Sequence, residues 1–149
     1  MERLREIMRP DFLITVQPDA TVGEAARAMA EHNVGIVAVL ADERLAGVFS
    51  ERDAVRQVMD RGLDPAQTAV SEVMTTDVII ADADEEYASA MLKMDQANIR
   101  HLPVCSGGRL LAMLSIRDLM RAELRDKGDE IKYLHEYLYH APSASPPIR

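Results

Sequence analysis

The chain has 149 residues, 48% hydrophobic and 28% charged, a composition typical of one compact domain or two small halves sharing a core and not of a disordered chain. Its 17 Lys and Arg against 25 Asp and Glu give a formal net charge of -8, which disfavours nonspecific binding to nucleic acids and anionic membranes. With one cysteine, Cys105, and no apolar run of signal-peptide or membrane-span length, we expect a cytoplasmic protein without disulfides.

The sequence repeats itself. Sliding it by 65 positions aligns residues 15–56 with 80–121, and 11 of these 42 pairs are identical, where composition alone gives roughly three. Upstream, Ile7-Met8 matches Val73-Met74 at an offset of 66, so one residue was gained or lost before the first strand. The chain is therefore predicted to contain one structural unit twice.

Each unit is predicted to run strand, helix, hairpin, helix. A capping box formed by Thr21 and Glu24 marks the start of the first helix. Apolar runs joined by the polar turns 41–44 and 106–109 indicate antiparallel hairpins. The first strands are expected at 13–16 and 78–81, and the last helices from 51 to about 61 and from 116 to about 125.

Such a β-α-β-β-α unit cannot bury both faces of its sheet alone. We therefore predict an α/β (α+β) fold in which two units pack through their sheets with pseudo-twofold symmetry. The expected boundaries are a first unit at 1–61, a linker at 62–69, a second unit at 70–125, a C-terminal amphipathic helix at 126–140 and a flexible tail at 141–149. The apolar face Ile131, Leu134 and Leu138 would contact a dimer partner, another protein or its own module.

Two matching tetrads follow the last strand of each unit, Ser50-Glu51-Arg52-Asp53 and Ser115-Ile116-Arg117-Asp118. One interpretation is helix capping, with Ser as the cap and Asp returning a bond to its backbone. The other is a binding site, because Ser can donate to a phosphate and a carboxylate can accept both hydroxyls of a ribose. The spacing alone favours capping.

The strand before each hairpin supplies a second candidate wall, through 35–38 and 100–103. Its apolar faces suit an aromatic base, and the Arg100 guanidinium suits a phosphate. Pro103 cannot donate to a sheet ladder and marks a frayed or edge strand. We found no glycine-rich phosphate loop, paired acid and base or metal-ligand spacing, so we expect no catalytic residues, no metal and no catalytic cofactor.

Together these motifs resemble a tandem pair of cystathionine-beta-synthase (CBS) domains, the Bateman module, in its stand-alone bacterial form. The resemblance covers about residues 4–125 and rests on the following segments: Ile7-Met8, Val73-Met74, Thr15 to Val22, Asn98 to Val104 and the two Ser-x-x-Asp tetrads. It implies two adenosine-nucleotide clefts between the units and disk-like dimers. Members of the family mostly bind AMP, ADP, ATP, NAD(H) or S-adenosylmethionine.

The resemblance also assigns site residues. It makes Asp53 and Asp118 ribose ligands and Ser50 and Ser115 phosphate contacts, with Arg52 and Arg117 between them. The base would lie against either of two sets of residues, namely Val16, Ile36, Val37 and Ala38 in one cleft, and Ile80, His101, Leu102 and Pro103 in the other. Two departures from the family pattern, Ala38 for its usual Pro and Ala112 for its usual Gly, leave the choice of cleft open. Arg100 and His101 favour the second.

The predicted function is a regulatory adenosine-nucleotide sensor that acts as a homodimer on a separate effector protein, with no nucleic-acid or membrane partner. The alternative is a constitutive assembly module whose ligand clefts are vestigial. Loss of ligand affinity on replacing Asp118 with Ala, with folding retained, would distinguish the two.

Overall fold

The computed structural model describes residues 2–140 and contains two three-stranded sheets flanked by helices. The first repeat contains α1 (Leu4–Ile7), β1 (Thr15–Val16), α2 (Val22–His32), β2 (Ile36–Ala41), β3 (Arg44–Ser50) and α3, an α-helical turn (Glu51–Asp53) that continues as a π-helix (Ala54–Met59). The second contains β4 (Ala81–Asp82), α4 (Tyr87–Ala97), β5 (His101–Ser106), β6 (Arg109–Ser115) and α5 (Ile116–His140). In each sheet the middle strand pairs parallel with the first and antiparallel with the third. The predicted repeat is confirmed.

Local signals in the sequence set the ends of α2 and α4. The Thr21 hydroxyl accepts from the Glu24 N–H and the Glu24 carboxylate accepts from the Thr21 N–H, both at 3.1 Å, which is the predicted capping box. Asn33 and Asn98 end the two helices in the left-handed conformation, with φ of 51° and 52°. Asparagine tolerates this region better than most residues, so both helices stop at the same point of the repeat.

Alternation along the strands directs one face of each sheet to its own helices and the other to the second unit. On β2, Val37 and Val39 belong to the core shared with α2, whereas Ile36 and Ala38 face the other sheet. The inter-sheet cluster consists of Ile36, Ala38, Val48 and Met113, with Leu13, Leu45, Val78 and Leu110 packed against it. The units therefore pack through their sheets, as predicted from their inability to bury both faces alone.

The segment that precedes each first strand packs in the core of the opposite unit. Leu4 and Ile7 of α1 are buried with α4, α5 and the second sheet, while Val70 and Val73 are buried with α2 and the first sheet. Backbone hydrogen bonds follow the same exchange, since the Leu4 N–H donates to the Glu85 carbonyl at 2.9 Å. Neither core is complete without residues from the other repeat.

Strands β1 and β4 are each two residues long, Thr15–Val16 and Ala81–Asp82, where 13–16 and 78–81 were predicted, and β4 starts one residue later in the repeat than β1. The reason is Pro103. In the first unit the Ala38 N–H donates to the Ile14 carbonyl at 3.0 Å and extends the ladder of β1. Pro103 occupies the equivalent position on β5 and has no N–H, so it cannot donate this bond and the ladder begins at Ala81.

Helix α5 is one continuous helix, Ile116–His140, where the sequence predicted two helices on either side of residue 126. The carboxylates of Asp126 and Glu123 on α5 lie near the Tyr87 hydroxyl of α4 and raise the pKa of Tyr87. On the predicted apolar face Leu134 is exposed and Leu138 is partly buried, while the Ile131 side chain lies outside the described part. The predicted tail at 141–149 also lies outside the described residues.

None of the helices formed within residues 2–140 has the length and apolar content needed to cross a membrane.

Replacing Gly47 with Ala tests the close approach of the two repeats at β3. A Cβ at Gly47 would lie 2.6 Å from the Thr75 carbonyl oxygen, and Thr75 forms a two-bond bridge with Val48 beside it. The backbone must shift to admit it, so we expect Gly47→Ala to lower the free energy of unfolding by about 1–3 kcal/mol. Urea denaturation followed by circular dichroism measures this loss.

Gly128→Ala is the matched control, because a Cβ there meets no atom within 4 Å. Inside α5 the same change should leave stability unchanged or raise it by up to about 1 kcal/mol, since Ala favours a helix over Gly. Equal destabilisation by both substitutions would contradict the close approach at Gly47.

Candidate functional site

A cleft of about 570 Å³ lies between the two units where β3 and β6 lead into α3 and α5. Both Ser-x-x-Asp tetrads line it, together with residues of β2 and β5 and of the segments that precede the two first strands. The volume is within the range of small-molecule sites. The resemblance implied two clefts, and in this structure the two tetrads open into one continuous space.

The two tetrads have the same internal geometry. The Ser50 N–H and hydroxyl donate to Asp53 Oδ2 at 2.9 and 3.0 Å, and the Asp53 N–H donates to Ser50 Oγ at 3.2 Å. Ser115 and Asp118 repeat these three bonds at 2.9, 3.1 and 3.3 Å. The capping interpretation is therefore confirmed in both units. It leaves Oδ1 of each aspartate unused by the serine, so capping and ligand binding are compatible.

The Oδ1 atoms of the two aspartates differ in their surroundings. Asp53 Oδ1 accepts a hydrogen bond from the Thr75 hydroxyl at 3.1 Å. Asp118 Oδ1 lies 3.7 Å from the Arg121 guanidinium, which is an ion-pair distance but too long for a hydrogen bond. The first carboxylate is consequently engaged on both oxygens, whereas the second keeps one oxygen open to a ligand.

His101 reaches across the cleft from β5 to the first unit. Its ring atom Cε1 and the Glu51 carboxylate each lie 3.5 Å from where a Cβ of Gly35 would stand, so the missing side chain makes room for both. Burial lowers the pKa of His101 and the Arg100 charge lowers it further, while Glu51 and Asp118 partly oppose these effects. The ring is therefore neutral near pH 7, able to accept a hydrogen bond at one nitrogen and donate at the other.

Arginines supply the positive charge in the cleft. The Arg52 guanidinium donates to the Asn98 carbonyl at 3.2 Å and links the two units. Arg9 lies over the Phe12 ring at 4.5 Å, a cation–π contact that holds it at the cleft wall. Arg100 and Arg117 are exposed and also line the cleft. Four arginines thus line the cleft together with four carboxylates, those of Glu51, Asp53, Asp77 and Asp118.

The structure brings most of the residues singled out from the sequence to this cleft. They are Ile36, Ser50, Arg52, Asp53, Arg100, His101, Pro103, Ser115, Arg117 and Asp118.

The other five are directed elsewhere. Val37 and Leu102 alternate with cleft residues along their strands and point into the cores of their own units. Ala38 is buried between the sheets and Val16 packs on the first core. Ile80 is half exposed outside the cleft, with its carbonyl bonded to Lys93 at 3.2 Å.

Sequence reasoning missed the segments before β1 and β4 as walls of the site. They contribute Arg9, Phe12, Thr75, Asp77, Val78 and Ile79. The sequence contains only an indirect hint, a change of the offset between the repeats from 65 to 66 in these segments. An inserted residue at an equivalent place indicates that the two segments differ in path, and the first forms a 3₁₀ turn, Pro10–Phe12, that the second lacks.

Side chains elsewhere in residues 2–140 offer little alternative chemistry. Among the side chains that the structure describes, no group of three His, Cys, Asp or Glu is arranged to hold a metal ion. Burial and the Asp82 carboxylate raise the pKa of the Cys105 thiol, which keeps it in the unreactive protonated form.

Comparison with known proteins supports the resemblance. A family model described as CBS domain matches the chain twice, over residues 4–60 and 70–125. The chain is 32% identical over 125 residues to the CBS domain-containing protein CBSX3, mitochondrial, of Arabidopsis thaliana. The match covers 80% of this chain and 61% of that protein. It therefore spans about three fifths of the length of this relative.

Two solved structures have the same fold. A protein with CBS domains from Burkholderia ambifaria MC40-6 superposes with a TM-score of 0.79 at 30% identity, covering 85% of this chain and 96% of the other. A CBS domain protein from Pyrobaculum aerophilum, complexed with AMP, superposes with a TM-score of 0.75 at 32% identity. The superposition covers 86% of this chain and 99% of the other.

The lowered pKa of His101 predicts a pH-dependent loss of stability. Because folding disfavours protonation of this ring, the unfolded chain binds more protons as the pH falls through the ordinary histidine value of about 6.5. The folded state loses stability there, and the loss levels off below the lowered folded pKa. We expect His101→Gln to lose less stability than the wild type between pH 7.5 and 5, measured by thermal melts across that range.

His32→Gln, on the exposed side of α2, controls for removing an imidazole from the surface. Parallel stability curves for the wild type and His101→Gln would contradict the lowered pKa.

Proposed function

Because the chain belongs to the CBS-domain family, we propose that it is a regulatory module that binds an adenosine-type ligand between its two units. The proposed role needs no catalysis, since it consists of holding a ligand. The module would act as a homodimer and pass its signal to a separate effector protein.

The observation that carries this proposal is a pair of capped carboxylates in one cleft. Ser50 and Ser115 fix Asp53 and Asp118 through Oδ2 and leave Oδ1 directed away from the cap. A carboxylate held in this way can accept the hydroxyls of a ribose without paying side-chain entropy on binding. The apolar side chains of Ile36, Ile99, Val78 and Pro103 line the same cleft and offer flat surfaces to an adenine ring.

AMP is the first ligand to test. The related Pyrobaculum aerophilum protein is complexed with AMP, and its structure superposes over most of both chains. The arginines of the cleft suit a phosphate group. ADP, ATP, NAD(H) and S-adenosylmethionine share the adenosine part and are the other members of the proposed ligand class.

Ligand binding would regulate the protein by changing how the units pack. The cleft takes walls from both sheets, and the exchanged segments at 4–7 and 70–74 link each unit to the core of the other. A ligand that contacts both units favours the arrangement that fits it more tightly. The shift would reach the effector through the outer surface of the dimer.

Exposed apolar side chains support a homodimer. Val55 and Met59 of α3 occupy the same repeat positions as Met120 and Leu124 of α5, and each is more than half exposed. We call these four residues the helix face. A second copy related by a twofold axis offers the same two patches in the same arrangement and can cover both at once.

Ligand binding should raise the melting temperature. A ligand at 100 times its dissociation constant stabilises a protein by about 2.7 kcal/mol, or about 5–10 °C for a chain of this size. We expect such a shift with at least one of AMP, ADP, ATP, NAD, NADH and S-adenosylmethionine, and its loss in the double variant Asp53→Asn, Asp118→Asn. No shift with any of them would contradict the proposal and favour the assembly module with vestigial clefts.

Charge on the helix face should separate the dimer. The double variant Met59→Lys, Leu124→Lys places a cation in each patch and is expected to run as a monomer in light scattering coupled to gel filtration, where the wild type runs as a dimer. Leu92→Lys is the control, because Leu92 on α4 is also more than half exposed but lies outside the helix face. A dimer that survives the double variant would place the contact elsewhere.

A further inference from the structure

The cleft has two halves built from equivalent positions of the repeat. The Asp53 half begins at α3, where the Glu51 N–H donates to the Gly35 carbonyl at 3.0 Å. The Asp118 half begins at α5, where the Ile116 N–H donates to the Arg100 carbonyl at 2.9 Å. The backbone is alike in the two halves, so the difference between them lies in the side chains.

The halves differ first in how many hydrogen bonds their aspartates can still accept. A carboxylate has about four acceptor positions. Asp53 uses three of them, for the Ser50 N–H, the Ser50 hydroxyl and the Thr75 hydroxyl. Asp118 uses two, both for Ser115. The two neighbouring hydroxyls of a ribose need two acceptor positions, which Asp118 offers and Asp53 does not.

The two halves also differ in the residue that follows Met8 in the first repeat and its equivalent, Met74, in the second. In the Asp53 half it is Thr75, which blocks the carboxylate. In the Asp118 half it is Arg9, which lines both the cleft and a neighbouring hollow of about 780 Å³ shared with Asp118 and Arg121. One position of the repeat thus supplies a competing donor on one side and a phosphate-binding guanidinium on the other.

The other two acidic side chains of the hollow, Glu2 and Glu6, are already bonded to groups other than Arg9. Glu2 pairs with Arg125 at 2.9 Å, and the Glu6 carboxylate accepts from the Arg3 N–H at 2.7 Å.

Charge separates the halves in the same direction. At equivalent positions of the repeat, the Asp118 half has Arg9, Arg100 and Ile116 where the Asp53 half has Thr75, Gly35 and Glu51. Each tetrad keeps its arginine, but the guanidinium of Arg52 is bonded to the Asn98 carbonyl. The Asp118 half therefore carries more positive charge than the Asp53 half, which favours a phosphate there.

From these differences we infer that the Asp118 half is the single strong site of the cleft, that it takes an adenosine ligand carrying a phosphate, and that Arg9 is the residue that selects for the phosphate. The inference rests on the proposed function, because it assumes that the cleft binds adenosine-type ligands. The Asp53 half is kept weak for such ligands by Thr75 and Glu51.

Isothermal titration calorimetry of the full chain with AMP and with adenosine tests this assignment. The wild type should bind one AMP per chain in the strong phase of the titration. Asp118→Asn should weaken AMP binding at least tenfold more than Asp53→Asn does. The two substitutions are matched, because each removes the same charge from the same capping geometry, and thermal melts check that both variants fold.

Arg9→Thr tests the selection for phosphate by giving the Asp118 half the residue that the other half has. It should weaken binding of AMP at least tenfold more than binding of adenosine. Arg27→Thr, on the exposed face of α2, is the control for losing one positive charge from the surface.

Three outcomes would overturn the inference: two strong AMP sites per chain, a larger effect of Asp53→Asn than of Asp118→Asn, or an equal loss of AMP and adenosine binding in Arg9→Thr. Absence of heat and of thermal shift with every adenosine compound would instead overturn the proposed function itself, and the two failures are therefore distinguishable.

Discussion

Each sheet in this protein has two apolar faces but only one set of helices to cover them, and the second face must therefore find another sheet. Ile36, Ala38 and Val48 of the first unit meet Met113 of the second, and this contact fixes the pairing of the repeats. Both helix starts then fall at the same end of the interface, on either side of the cleft. The candidate site is thus a result of how the sheets pack, and its walls necessarily come from both halves of the chain.

A duplicated scaffold gives two sites that share a backbone and can differ in chemistry. Here the serine–aspartate caps are the same to within 0.1 Å in each matched bond. The surrounding positions have diverged, with Thr75 against Arg9 and Glu51 against Ile116. Because the caps also stabilise the helices, they are constrained by folding as well as by binding, whereas the neighbouring positions are free to alter which ligand fits.

Much of the fold could be read from the sequence because its signals are local. The Thr21 and Glu24 box and the two serine–aspartate caps involve residues three positions apart, and the structure contains all three. The packing of sheet against sheet followed from the repeat. The start of β4 could not be predicted in the same way. Pro103 was recognised as a residue that cannot donate to a ladder, but the segment that would have accepted its hydrogen bond is distant in the sequence.

The site was harder to predict for two physical reasons. Consecutive strand residues were assigned to one wall, yet alternation sends Val37 and Leu102 to the opposite face from Ile36 and His101. The second reason is the crossing of segments between units. Thr75 and Arg9 reach the cleft only because the chain before each first strand packs on the other unit, and no short-range pattern reports that path.

This exchange also governs the order in which the molecule can be assembled during synthesis. Glu2 pairs with Arg125, its partner 123 positions later, and Leu4 and Ile7 are buried against α4 and α5, which are synthesised much later. The first sheet can collapse once Val70 and Val73 have emerged, but α1 must wait for the second unit and stays unprotected meanwhile. In two nascent chains held close together, α1 of each chain could pack in the second unit of the other. The exchange that joins the two units within one chain therefore also offers a route to domain-swapped oligomers.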